Sequence, residues 1–164
     1  MRKVLFAIGD YSNGGGGIPS GVGPEFFTTG YQGEFLTLTN SVLSATSGNA
    51  ALYGFELANE VHCRGDQNSL EPYKNWGQEI AGILRGGSPN VGYGQKASEN
   101  TTLCDSPGVN APSGSSHFQY TNDVPEISIA SGHYYNANEK ALALRALEQS
   151  LSIGKTYYVG EAPA

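Results

Sequence analysis

Apolar positions fall into two kinds of stretch that alternate along the chain. Arg2 to Gly9, Ala51 to Ala58, Glu126 to His133 and Lys155 to Gly160 are short, dense apolar runs with the length of buried strands. Pro89 to Gln95 is a fifth, shorter run, weakened by its glycines. Between these runs apolar residues recur every three or four positions, as one face of a helix does. Phe35, Leu38, Val42 and Ala45 predict a helix from Gly33 that ends near Ser47, Gly48 and Asn49. Tyr73, Trp76, Ile80, Ile83 and Leu84 predict a second, with Ser69 and Pro72 at its start and Gly86-Gly87 as its stop; Trp76 falls on that periodic face and reads as core. Asn138 opens a third, with Ala141, Leu144, Leu147 and Leu151 inward and Gly154 at its end. Lys96 to Asn122 has no usable period and predicts a long loop.

Strands separated by helices predict parallel βαβ units, and in such folds the chemistry gathers at the carboxyl ends of the strands. Four runs here end in functional groups: Asp10, Asn59-Glu60, His133 to Tyr135, and Glu161. A polar residue where one strand meets its loop is ordinary. Four of them in order along one chain predict a site.

Composition narrows the class. The 164 residues suit one domain; charged residues are only 15% and glycines number 23, which fits a loop-rich extracellular protein. The net charge of −6 and pI near 4.9 leave no basic footprint, so nucleic acid and anionic membrane are excluded as expected partners, while a neutral sugar fits. No apolar run reaches the ~20 residues of a membrane span. The basic start at Arg2-Lys3 leads into an apolar run stopped by Gly9-Asp10, which reads as a strand, so no signal peptide is visible. Cys63 and Cys104 allow one bridge between loops or two free thiols, and Asn100-Thr101-Thr102 is a sequon.

Glu56-Leu57-Ala58-Asn59-Glu60 resembles the Asn-Glu signature that ends the fourth strand of clan A retaining glycosidases, glycoside hydrolase family 5 above all; Val61 stands where the family often has proline. His62-Cys63-Arg64 resembles the continuation found in the family's endo-mannanases. Tyr157-Tyr158-Val159-Gly160-Glu161 resembles the seventh-strand motif bearing the nucleophile, with Ala162-Pro163 replacing the usual aromatic and glycine, and His133-Tyr134-Tyr135 resembles the His-x-Tyr pattern ending strand six. The resemblance implies a partial TIM (β/α)8 barrel over residues 1–164, covering roughly strands three to seven. A whole barrel needs ~250 residues, so this register makes the chain an internal piece of a longer enzyme.

The implied reaction is retaining hydrolysis of a β-1,4-linked mannan or β-glucan by double displacement, with Glu60 as acid/base and Glu161 as nucleophile. Asn59 would hold the sugar 2-hydroxyl, Tyr135 would hydrogen-bond the nucleophile and His133 would line the sugar site; no metal or other cofactor is needed. Tyr11, Tyr93 and Tyr134 are the remaining stacking candidates. Glu56, four residues before Glu60, shares its side of the strand and needs a partner, such as an arginine on a strand outside the chain. The resemblance further implies a secreted, extracellular enzyme, monomeric at full length, that takes a β-linked polysaccharide or oligosaccharide. Alone, with two open sheet edges, the piece is expected to be inactive. Two other readings compete. A non-catalytic carbohydrate-binding or structural protein of secreted type fits the composition, and Gly9-Asp10-Tyr11-Ser12 faintly resembles an esterase nucleophile motif but lacks the adjacent serine.

Overall fold

The computed structural model describes residues 4–10, 32–59, 70–88, 90–93, 95–96, 117–134 and 139–161. In chain order the elements are β1 (Val4–Asp10), α1 (Gln32–Thr46), β2 (Leu52–Asn59), α2 (Leu70–Leu84), β3 (Val91–Gly92), β4 (Gln95–Lys96), α3 (His117–Asn122), β5 (Ile129–His133), α4 (Lys140–Ser152) and β6 (Thr156–Glu161). All strand pairs are parallel, in the orders β1-β2-β3 and β4-β5-β6. The seam between the two groups is bonded: Ser128 N donates to Val91 O at 2.9 Å and Val91 N to the Ser128 hydroxyl at 2.8 Å. Strands therefore follow one another across the wall in sequence order, as in part of a (β/α)8 barrel, and the described residues form no closed barrel. Among the described residues β1 and β6 each pair on one side only.

The helix-facing side is the core. Phe55 and Leu57 project from β2 into Phe35, Tyr73, Trp76, Ile80 and Leu84, all buried. Trp76 stands between Phe35 and Tyr73, with ring centroids 5.5 and 6.1 Å away. Tyr93 stacks on Tyr73 at 4.9 Å and is fully buried, so it is a core residue and is closed to a sugar. A second cluster joins Phe118, Ala130, Tyr134 and Ala146, with Tyr157 packed against it, which removes Tyr134 from the stacking candidates as well. Tyr11 lies outside the described residues.

The other side is concave. Tyr53 on β2 and Tyr158 on β6 stack with centroids 6.0 Å apart. With strands spaced ~4.8 Å, a flat sheet would hold these rings far apart across the intervening β3/β4 and β5, so the wall curls. A bulge permits the contact: Val4 pairs with Leu52 and Leu5 with Gly54, leaving Tyr53 as the extra residue, turned to the side that alternation from Phe55 would deny it.

Three expectations are corrected. Within the predicted 96–122 loop, His117–Asn122 is helical, with Phe118 buried. The run from Glu126 starts pairing only at Ile129; before it a turn is held by Lys155 Nζ, donating to Val124 O and Ile127 O at 2.8 and 2.6 Å, and by Arg85, donating to Pro125 O at 2.7 Å. In α4 the inward face is Leu142, Ala143, Ala146 and Ser150, while Leu144, Leu147 and Leu151 are exposed. Small residues at 143, 146 and 150 let the helix sit close to β5 and β6, and the leucines lie about a third of a turn away. The helix ends at Gly154 (φ +70°) as expected; Asn138 lies outside the described residues.

Candidate active site

Strand register sets the rim. Asp10 pairs with Asn59 across β1 and β2, and His133 pairs with Lys96 on one side and Glu161 on the other. The polar strand ends thus lie on one edge of the wall, where a parallel α/β sheet carries its chemistry. Asn59 is half-buried. Glu60 and Tyr135 lie outside the described residues, as do the side chains of Asp10 and Glu161, and so do Cys63, Cys104 and the Asn100 sequon.

Beneath that rim the concave face holds a buried contact between a carboxyl group and an imidazole. On β2, Phe55 and Leu57 face the helices, so Glu56 between them faces inward. There its carboxylate meets His133: Nε2 lies 3.3 Å from Oε1 and 3.4 Å from Oε2. Both side chains are almost excluded from solvent, at 1% for His133 and 6% for Glu56. A carboxylate that deep is costly unless paired, and His133 supplies the pairing expected from an arginine on another strand. His133 itself points into the wall, toward Glu56.

The third member is a residue without a side chain. A Cβ placed at Gly160 would lie 2.6 Å from His133 Nε2 and 2.9 Å from Glu56 Oε1. Only glycine lets β6 approach the pair, and it does so at the position immediately before Glu161. The register also slips there: Gly132 pairs with Val159 and His133 with Glu161, so Gly160 is an extra residue, a bulge that re-aims the strand end.

Sequence reasoning named His133 and the inward side of Glu56 but not their contact, which joins residues 77 positions apart. Parity puts both side chains on the inward side, since Glu56 and His133 each alternate with residues of the helix-side core, but it does not pair them. On the helix side of β6, burial first and then the charge of the neighbouring Tyr134 phenol push the Tyr157 phenol well above its usual range. Among the described residues no group of three His, Cys, Asp or Glu is placed to hold a metal ion.

No family model and no curated protein matches the chain. Among solved structures it is similar to the exo-β-1,4-mannosidase Op5Man5 from Opitutaceae bacterium strain TAV5, with a TM-score of 0.52 and 13% identity over 93% of this chain and 36% of that one. The chain spans about a third of that protein's length. At this identity the likeness is one of fold: parallel strands and intervening helices arranged as in part of that enzyme.

Proposed function

We propose that this chain is the strand-three to strand-seven portion of a retaining glycoside hydrolase acting on β-1,4-linked mannan or a related β-glucan. The observation that carries the reading is the curled parallel wall that brings β2 and β6, the strands leading to Glu60 and Glu161, against one another through Glu56, His133 and Gly160. Register supports it too. Glu161 and His133 share the ladder level of Lys96, Glu56 shares that of Gly92, and four positions separate Gly92 from Lys96. Four positions beyond Glu56 is 60.

In this mechanism Glu60 donates its proton to the leaving oxygen while the Glu161 carboxylate attacks the anomeric carbon. Glu60 then takes a proton from the water that releases the sugar. Asn59 holds the 2-hydroxyl, a contact that tightens as charge develops on the ring, and Tyr135 orients the nucleophile. The resemblance to a mannosidase and the His62-Cys63-Arg64 segment favour mannan. The enzyme would be secreted and would work as a monomer once its barrel is complete; the open wall alone would not turn over.

The test uses the chain joined to the βα units that close the barrel, with manno- and gluco-oligosaccharides and a 2-deoxy-2-fluoro glycosyl inhibitor. The expected result is hydrolysis and a covalent sugar on the peptide holding Glu161, both lost in Glu161→Gln. A folded, closed barrel with neither hydrolysis nor label would overturn the proposal.

A further inference from the structure

The Glu56, His133 and Gly160 cluster supplies no proton donor or nucleophile to the mechanism above. Its placement is unusual in three ways that bear on one another. It ties β2 to β5 by a buried side-chain contact across the concave face. It leaves no room for a side chain on β6, so three strands converge on one point. And that point sits one residue before Glu161 on β6 and four before Glu60 on β2. A buried polar pair of this kind contributes little net stability compared with apolar side chains of the same volume, yet breaking it by removing one partner is costly. Its value lies in fixing geometry.

We propose that Glu56 is a positioning residue. Its carboxylate, held by His133 and grazed by the bare backbone of Gly160, fixes how far the end of β2 stands from the end of β6, and so the separation of the two carboxyl groups mounted there. The proposal rests on the hydrolase reading. Retention requires those groups ~5–5.5 Å apart, a tolerance that strand termini do not hold unaided. Gly160 is the matching element: a methyl at this position would push β6 away from the pair by the overlap it creates with His133 and Glu56.

Two measurements test this. In the 164-residue chain, histidine-selective NMR should show the His133 ring resonances moving in Glu56→Gln and in Gly160→Ala, with the other histidines unmoved; unmoved His133 signals would overturn the proposal whatever the enzyme does. In the closed barrel, both variants should lose kcat on the order of 100-fold, the scale for a misplacement of about 1 Å, with KM changed far less. Glu56→Asp, which keeps the charge on a shorter arm, should recover part of the loss. A kcat within about twofold of wild type in Glu56→Gln, with the NMR response present, would overturn the positioning role and leave the hydrolase reading standing. No turnover in the wild-type barrel would overturn both.

Discussion

Tyr53 and Tyr158 belong to strands that are not neighbours, yet their rings stack at 6.0 Å with 30° between their planes. The contact closes the lower part of the concave face as the Glu56–His133 pair closes the upper part. Offset aromatic pairs contribute about 0.5–1.5 kcal/mol beyond burial. A double-mutant cycle with Tyr53→Ala and Tyr158→Ala should give a coupling in that range by chemical denaturation. Additive losses would mean that the wall does not curl enough to bring the rings together.

Two glycines on α2 should respond to alanine with opposite signs. At Gly77 an added methyl would collide with the Tyr93 ring, which is fully buried and stacked on Tyr73. At Gly82 the nearest atom to the new methyl is 3.7 Å away, an ordinary contact. Gly77→Ala should therefore destabilise by about 1–3 kcal/mol or more through overpacking, while Gly82→Ala should stabilise by up to about 1 kcal/mol from helix propensity. Urea denaturation of the two variants side by side checks both signs.

How much of this was legible depended on which physical signal each residue carried. Period marked β2 and α2 well, because Phe55, Leu57, Tyr73, Trp76 and Ile80 bury large apolar surface on one face. It failed on α4, where leucines at 144, 147 and 151 outshout the small residues that make the contact. It also passed over α3, a helix of six residues in a polar stretch whose burial of Phe118 depends on a partner cluster from β5 and α4. The parity of Glu56 was readable, but its partner was not. Nothing local in residues 51–60 points to a histidine 77 positions on, and the need for glycine at 160 exists only once that pair is in place.

Tyrosine titration offers a pH signature. The Tyr120 hydroxyl donates to the Glu71 carboxylate, with Lys74 Nζ 4.0 Å from the ring centroid. The hydrogen bond to Glu71, with burial and the carboxylate's charge adding to it, pushes the phenol up to about 12. The folded value is raised above the unfolded one, so the contact's contribution is fully present below pH ~10 and is lost as pH rises through about 12. Absorbance of tyrosinate should show Tyr120 ionising late, and Tyr120→Phe should remove that step. Tyr93, whose phenol burial pushes up, and Tyr157 should stay silent until the chain unfolds. Normal titration of all the tyrosines would contradict the packing of both core clusters.

Lys155 should matter more than its position at the start of a strand suggests. Its ammonium satisfies two turn carbonyls, Val124 O and Ile127 O, and burial pushes it below the usual lysine value. Lys155→Met keeps most of the stem but takes the ammonium from Ile127 O and leaves Val124 O with the Ile127 N–H alone, a loss of about 1–3 kcal/mol. Arg85→Met, which frees only Pro125 O at an exposed site, should cost less. Thermal melts that rank the two variants in the opposite order would show that the turn is not held from β6.

The last prediction concerns which face of α4 the fold uses. Leu144, Leu147 and Leu151 are 53%, 36% and 66% exposed, whereas Ala146 is 3% exposed against Phe118 and Ala130. Exposed leucines release little on replacement, so each of Leu144→Gln, Leu147→Gln and Leu151→Gln should change stability by no more than about 0.5 kcal/mol. Ala146→Leu should cost about 1–3 kcal/mol by overpacking the contact with β5. The triple glutamine variant should also self-associate less, because the three leucines present exposed apolar surface on α4. Denaturation and sedimentation of the five variants decide the matter. If the glutamine variants unfold and Ala146→Leu does not, the helix packs through its leucines, and the closeness of α4 to β5 described above is wrong.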